Sequence, residues 1–257
     1  MVNNANLYAH FKQHFPLDLN TELLVTEAGL SVSYDDADKS SARIANCLLG
    51  LGAVPGDRIT VQVEKSVENL FLYLACLRAG LVYHPLNSAY KASELEYFLG
   101  NAEPTIVICN IASVSTVESV LPAAGVKSIL TLDADGRGTL MDEAADASVS
   151  ADIATCKGSD MAALLYSSGT TGQPKGIMLS HDNLRKNAET LVDIWGFSAA
   201  DRLLHMLPIY HVHGLFVGLG CVLMSGASMV WHAGYSDQAA VAALPECTVM
   251  MGVPTYY

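Results

Sequence analysis

Eleven consecutive residues, Tyr166-Ser-Ser-Gly-Thr-Thr-Gly-Gln-Pro-Lys-Gly176, combine the side chains that hold phosphate groups in proteins. Gly169 and Gly172 allow the backbone to bend tightly and to approach a ligand closely. Free backbone N–H groups and hydroxyls can surround phosphate oxygens as an anion-binding nest, and a lysine adds positive charge on a long stem. The segment therefore predicts a phosphate-binding loop whose ligating residues are Ser167, Ser168, Gly169, Thr170, Thr171, Gly172 and Lys175.

This loop differs from the common P-loop pattern G-x-x-x-x-G-K-[ST], because position 174 is Pro and position 176 is Gly. It is also predicted to lie between two strands, whereas a P-loop joins a strand to a helix. A flexible surface hairpin built from turn residues is the alternative interpretation of the same segment.

The loop resembles the signature of the acyl-adenylate-forming family, which includes acyl-CoA synthetases, adenylation domains and luciferases. That signature is usually written Thr-Ser-Gly-Thr-Thr-Gly-x-Pro-Lys-Gly, and Ser167 keeps a hydroxyl at its first position. The resemblance extends in order over essentially the whole chain, through the segments 77–86 (LRAGLVYHPL), 207–214 (LPIYHVHG) and 252–256 (GVPTY). Within the family, the sequence resembles those of malonyl-CoA synthetases at residues 64–68, 85–90, 95–98, 135–138 and 205–214.

The resemblance implies an ATP-dependent ligase that converts a carboxylic acid, best matched by malonate, to acyl-AMP and then to a coenzyme A thioester. Lys175, Thr170 and His211 would be the catalytic residues, and His211, Val253 and Pro254 would line the acid. Mg²⁺ would offset phosphate charge. Its acidic ligand, the adenine and ribose contacts, the hinge and the catalytic lysine of the C-terminal domain are expected beyond Tyr257, so this chain is predicted to be inactive alone.

Two other functions stay open at this point. Another acyl-CoA synthetase or a carrier-loading adenylation enzyme would share the loop and differ in its acid pocket. A non-catalytic nucleotide-binding or interaction module would keep phosphate binding without the later chemistry. The complete hydroxyl set and Lys175 favour the enzyme.

His211-Val-His213 is the one segment that resembles part of a metal site, but zinc sites need further ligands nearby. No acidic residue follows within the segment, so no metal site is predicted. His211 could instead bond an anionic substrate, and a packed histidine at a helix start is the alternative for His213.

Composition limits the partners of the chain. It has 14 basic and 26 acidic residues, a net charge of −12, which disfavours nucleic acid and anionic membrane surfaces. Six cysteines without a C-x-x-C pair, and an N-terminus without a signal or transit peptide, predict a reducing, cytoplasmic location. The uncharged stretch 214–231 is broken by glycines, so a buried helix ending near Gly226 and then a strand are expected in place of a membrane span.

Alternation of strand-like and helix-like segments with short connections predicts stacked α/β layers with mainly parallel sheets. Ser93 and Glu96 are predicted to form a capping box. Strands are predicted at 23–26, 31–34, 59–63, 81–84, 105–109, 128–132, 161–166, 176–179, 203–206, 228–231 and 248–251. Helices are predicted at 6–14, 35–49, 66–78, 93–101, 114–124, 181–195, 212–224 and 239–244, with a loop and a short helix in 133–160.

The chain is expected to be a truncated N-terminal domain of an acyl-CoA synthetase, because it stops in an apolar run and natural domains usually end in polar surface residues. Residues 50–165 are predicted to form one α/β subdomain, and residues 1–49 with 176–257 part of a second. Residues 166–176 form the loop between them. A missing C-terminal half would expose apolar surface and favour homo-oligomers.

Overall fold

The computed structural model describes residues 4–121, 125–167 and 173–256. Its strands, in chain order, are β1 (Glu22–Thr26), β2 (Ser31–Ser33), β3 (Arg58–Gln62), β4 (Val82–Pro85), β5 (Ile106–Cys109), β6 (Ser128–Thr131), β7 (Met161–Ser167), β8 (Lys175–Ser180), β9 (Arg202–His205), β10 (Ser228–Trp231) and β11 (Val249–Met250). Its α-helices are α1 (Leu7–Gln13), α2 (Tyr34–Gly50), α3 (Val67–Arg78), α4 (Ala92–Ala102), α5 (Val114–Val120), α6 (Thr139–Ala144), α7 (His181–Trp195), α8 (Leu219–Ser225) and α9 (Asp237–Ala243).

The chain divides into two compact units. The first comprises Met1–Tyr8 with Ser40–His181, and the second comprises Ala9–Lys39 with Asp182–Tyr257. From the sequence, the subdomain changes are predicted near residues 49 and 166–176, and those predicted boundaries stay a prediction.

A six-stranded sheet with the order β6-β5-β3-β4-β7-β8 forms the centre of the described part of the first unit. The pairs from β6 to β7 are parallel, and only β7 with β8 is antiparallel. Residues in β4 and β5 are buried throughout, as expected when helices cover both faces of a parallel sheet. Near-continuous apolar runs in these strands are therefore the sequence feature that produces this architecture.

Helix α4 covers one face of this sheet and packs Phe98 and Leu99 against Val107 and Cys109. The predicted capping box of Ser93 and Glu96 is wrong. The helix begins at Ala92, and the Glu94 carboxylate accepts a hydrogen bond from the Lys91 backbone N–H at 2.9 Å. A start one residue earlier than predicted places Glu94, not Glu96, on the free N–H groups of the first turn.

A five-stranded sheet with the order β11-β9-β10-β1-β2 forms the centre of the second unit as described. Only the β1–β2 hairpin is antiparallel. The stretch 213–231 forms a π-helical turn (His213–Gly218), α8 and β10, with Gly226 ending the helix at φ +72°. The predicted buried helix and strand are confirmed, and within residues 4–121, 125–167 and 173–256 no helix has the length and apolar character to span a membrane.

Candidate active site

The predicted phosphate loop connects β7 to β8 at the edge of the first unit's sheet. The antiparallel pairing runs to Ser167↔Lys175, so these two residues face each other at the loop's ends. Directly opposite residues of an antiparallel pair place their side chains on the same face. Both are exposed, and the pair presents a hydroxyl beside an ammonium group. That arrangement fits an anionic ligand such as a polyphosphate.

Five of the predicted ligating residues lie outside the described residues, and their roles stay predictions: Ser168, Gly169, Thr170, Thr171 and Gly172. The two ends of the loop are described, and they follow the carboxyl end of β7. In open α/β sheets, ligands bind at the carboxyl ends of the parallel strands. The position of the loop therefore agrees with a nucleotide site.

Lys175 has no ion-pair partner among the residues that the structure describes. Several other basic side chains are paired, such as Arg185 with Asp182 and Glu189. An exposed ammonium without a carboxylate beside it is available for a phosphate group. The predicted phosphate-binding role of Lys175 stays a prediction.

Helix α4 holds both arms of this hairpin through contacts that the sequence does not predict. The Tyr166 hydroxyl donates to Asn101 Oδ1 at 2.5 Å, and the Tyr97 hydroxyl donates to the Pro174 carbonyl oxygen at 2.6 Å. The four-residue spacing of Tyr97 and Asn101 places them on one helix face. That spacing is the only sequence signal that could have identified them.

Tyr166 is packed at the point where β7 meets the loop. Its ring lies 4.7 Å from the Phe98 ring and 5.5 Å from the His84 ring, measured between centroids. Burial, with a smaller contribution from Tyr97, raises the pKa of Tyr166 to about 12. The phenol therefore stays protonated and remains a hydrogen-bond donor at neutral pH.

His211 lies in the second unit, exposed, before the π-helical turn. Its ring packs against the Tyr210 ring with centroids 4.5 Å apart. Partial burial lowers the pKa of His211 below its ordinary value. The imidazole is therefore neutral at pH 7 and can donate one hydrogen bond to a carboxylate.

The segment that presents His211 is held by close backbone packing. A Cβ on Gly214 would lie 2.3 Å from the Pro208 carbonyl oxygen, so only glycine fits there. The Gly214 carbonyl oxygen lies 2.9 Å from His205 Nε2, and the buried His205 ring stacks on Trp231. Gly214, which belongs to one of the segments that resemble the family, is therefore required at this position for steric reasons.

Val253 and Pro254, the other predicted acid-lining residues, also lie in the second unit and are exposed. They begin a short 3₁₀ turn, in which Tyr256 N–H donates to the Val253 carbonyl oxygen at 2.8 Å. Burial raises the pKa of Tyr256, and the nearby Tyr210 raises it further. Through Tyr210 and Tyr256 the structure brings the His211 segment and the Val253 turn to the same part of the second unit.

No group of three or more His, Cys, Asp or Glu side chains that could hold a metal ion occurs in the described ranges of the chain. His211 and His213 do not form part of such a group. No magnesium ligand is therefore assigned to the described residues.

Residues 18–257 match the family of AMP-binding enzymes. The chain belongs to that family. This match confirms the predicted family. The superposition on a solved structure confirms the predicted fold class, which is the α/β architecture of the N-terminal domain of acyl-CoA synthetases.

Among solved structures, MatB from Rhodopseudomonas palustris superposes with a TM-score of 0.95 at 44% sequence identity, in both its apo and its ATP-bound crystal structures. The match covers 99% of this chain and 50% of the MatB chain. A feruloyl-CoA synthase of Amycolatopsis sp is 30% identical over 237 residues, 91% of this chain and 46% of that protein.

The mitochondrial malonate–CoA ligase ACSF3 of Bos taurus is 30% identical over 216 residues, which are 80% of this chain and 35% of the relative. The chain thus spans half or less of the length of each of these proteins.

Proposed function

We propose that the protein is an ATP-dependent acid–thiol ligase that forms an acyl-CoA through an acyl-AMP intermediate. The observation that carries the proposal is the β7–β8 hairpin, which places Ser167 opposite the exposed Lys175 in a chain of the AMP-binding family. An ATP-bound structure of MatB, which superposes on this chain, supports ATP as the nucleotide.

The first step joins the acid to the nucleotide. A carboxylate oxygen attacks the α-phosphorus of ATP, and the bond to pyrophosphate breaks, giving acyl-AMP. Lys175 would neutralise part of the charge on the leaving pyrophosphate, and the loop hydroxyls would orient it. The work of this chain in that step is positioning and charge stabilisation.

The second step transfers the acyl group. The sulfur of coenzyme A attacks the acyl carbon, the thiol proton is lost, and AMP leaves. In the first step, neutral His211 would hydrogen-bond the acid with Val253 and Pro254 beside it, which keeps the carboxylate oriented for its attack on the α-phosphorus. These three residues are proposed as the acid side of the site.

Malonate is proposed as the acid. The bovine malonate–CoA ligase is a relative at 30% identity, and five stretches of this chain resemble malonyl-CoA synthetases. A bulky aromatic acid is the second candidate, because the feruloyl-CoA synthase relative is also 30% identical. The two candidate ligases would catalyse the same two steps and differ only in the acid that they prefer.

We further propose that residues 1–257 do not complete the reaction alone. The support is that the chain covers 50% of the MatB chain. The 257-residue chain should release no pyrophosphate above the rate of a Lys175→Ala variant. Substantial acyl-AMP formation by the 257-residue chain would refute this part of the proposal.

The acid is tested with the protein expressed from its complete gene. Pyrophosphate release is measured with ATP, Mg²⁺ and coenzyme A, comparing malonate with acetate, methylmalonate, octanoate and ferulate. The proposal predicts the highest kcat/KM with malonate. A preference for ferulate or octanoate would keep the ligase and exclude malonate, and ATP binding without release with any acid would indicate a non-catalytic module.

A further inference from the structure

The hairpin that carries the phosphate loop extends beyond the strand next to it. The ladder between β7 and β4 is made at Tyr83↔Ala163, whereas the pairing of β7 with β8 continues to Ser167↔Lys175. In the described sheet, β8 is an edge strand with β7 as its partner. A two-stranded ribbon of this kind is only marginally rigid by itself. Its end therefore needs support from outside the sheet.

Helix α4 supplies two hydrogen bonds at that end, one to each arm. Tyr166, on the first arm, donates to Asn101 Oδ1 at 2.5 Å. Pro174, on the second arm, accepts from the Tyr97 hydroxyl at 2.6 Å. The two contacts lie beside the residues that begin and end the loop.

The aromatic rings add a second restraint on the first arm. The Tyr166 ring contacts the Phe98 ring at 4.7 Å and the Tyr97 ring at 6.3 Å, both tilted or edge-on. Aromatic pairs in such arrangements contribute beyond their buried area. Helix α4 itself is anchored by Leu95 and Leu99, which are buried in the core. The hairpin end is therefore fixed to a rigid element.

We propose that Tyr97 and Asn101 are positioning residues that hold the two ends of the nucleotide loop, near Ser167 and Lys175, at the spacing required for binding ATP phosphates. This inference rests on the proposed function of the loop. In this proposal neither residue contacts the nucleotide. Each acts through a backbone or side-chain atom of the hairpin, so that ordering of the loop ends is completed before the ligand binds.

The geometry of the two bonds defines a set of matched variants. Tyr97→Phe removes one hydroxyl and keeps the ring. Tyr166→Phe and Asn101→Ala remove the donor and the acceptor of the same bond. Their double variant should therefore be no worse than either single variant, because each of these variants lacks the same bond.

The first measurement needs no activity. Trypsin cleavage after Lys175 is timed in the 257-residue chain and divided by cleavage after Arg137, whose side chain is 86% exposed in a distant turn. Each single variant should raise this ratio by about fivefold, the size expected for one hydrogen bond. Unchanged ratios in all variants, or additive effects of Tyr166→Phe and Asn101→Ala, would overturn the inference.

The second measurement connects the anchor to the nucleotide, in the protein expressed from its complete gene. Tyr97→Phe and Asn101→Ala should each lower kcat/KM for MgATP by about fivefold and leave KM for the acid unchanged. Equal effects on both substrates would indicate a general structural role and overturn the inference. If the unmodified protein releases no pyrophosphate with any acid, the proposed function fails, and the trypsin ratios still decide whether α4 anchors the hairpin.

Discussion

Replacing His84 with glutamine is expected to remove a defined part of the acid sensitivity of the first unit. His84 is fully buried on β4, and its Nδ1 lies 2.7 Å from the Thr60 hydroxyl of β3. Its Nε2 has no hydrogen-bond partner within the described parts of the chain. Burial, and then the charge of Arg58, lower the pKa of His84 from 6.5 to about 3.

The direction in which stability changes with pH follows from the number of protons bound at His84 in the folded and unfolded chains. Between the unfolded value of 6.5 and the folded value of about 3, the unfolded chain binds more protons at His84 than the folded chain does. The contribution of neutral His84 to stability is therefore complete above pH 6.5 and is lost progressively as the pH falls toward 3. From about pH 7.5 to about pH 5 the loss amounts to roughly 2 kcal/mol, at about 1.4 kcal/mol per pKa unit.

The assay must report on the first unit. Both tryptophans, Trp195 and Trp231, lie in the second unit, so tryptophan fluorescence would follow the wrong part of the chain. Urea unfolding is therefore read by pulsed hydrogen exchange and mass spectrometry of peptides that contain β3 and β4, at the two pH values. His14→Gln replaces an exposed histidine and controls for the loss of one imidazole.

The His84→Gln protein should lose about 2 kcal/mol less stability over this pH interval than the unmodified protein does. Its stability at the higher pH will also change, because glutamine packs differently, so only the difference between the two pH values is compared. A His84→Gln protein with the same acid-induced loss as the unmodified protein would refute the assignment of His84 as a buried neutral imidazole.

Three further substitutions test the packing around two glycines and the role of His211. Gly214→Ala should destabilise the chain by about 2 kcal/mol or more, since its Cβ would clash with the Pro208 carbonyl oxygen. Gly100 lies in α4, where an added Cβ would meet open space, so Gly100→Ala should stabilise the chain by up to about 1 kcal/mol. Urea unfolding measures the free energy of unfolding of both glycine variants, and equal effects would contradict the steric argument. His211→Ala should raise KM for the acid about tenfold through one lost hydrogen bond to a charged group and leave KM for ATP unchanged, and a change confined to ATP would exclude His211 from the acid side.

Much of the fold could be predicted because central strands such as β4 and β5 are buried throughout. Runs such as Ile106–Cys109 contain only apolar residues, and their spacing between helical segments implies parallel pairing. The loop was predictable for a different reason, since its glycines and hydroxyls are informative without any tertiary context. The predicted ends of helices were less accurate where more than one residue could serve as the N-cap. Ser93 has good capping chemistry, but the helix begins at Ala92.

The supporting contacts could not be predicted, because they depend on packing between distant segments. Tyr97 and Pro174 are 77 residues apart in sequence, and Asn101 and Tyr166 are 65 apart. In their local sequence context, these residues cannot be distinguished from ordinary helix and strand residues. The role of Gly214 likewise appears only when the Pro208 carbonyl oxygen is seen to occupy the space of a Cβ.

The central claim, that the loop ending at Lys175 binds the phosphates of ATP for acid activation, is tested most directly by isotope exchange between pyrophosphate and ATP. The exchange is measured in the protein expressed from its complete gene, with malonate present or absent, for the unmodified protein and for Lys175→Ala. The account predicts exchange that requires malonate and falls by about 100-fold in the variant, as for loss of one group that stabilises transition-state charge. Equal exchange in the unmodified protein and in Lys175→Ala would contradict it.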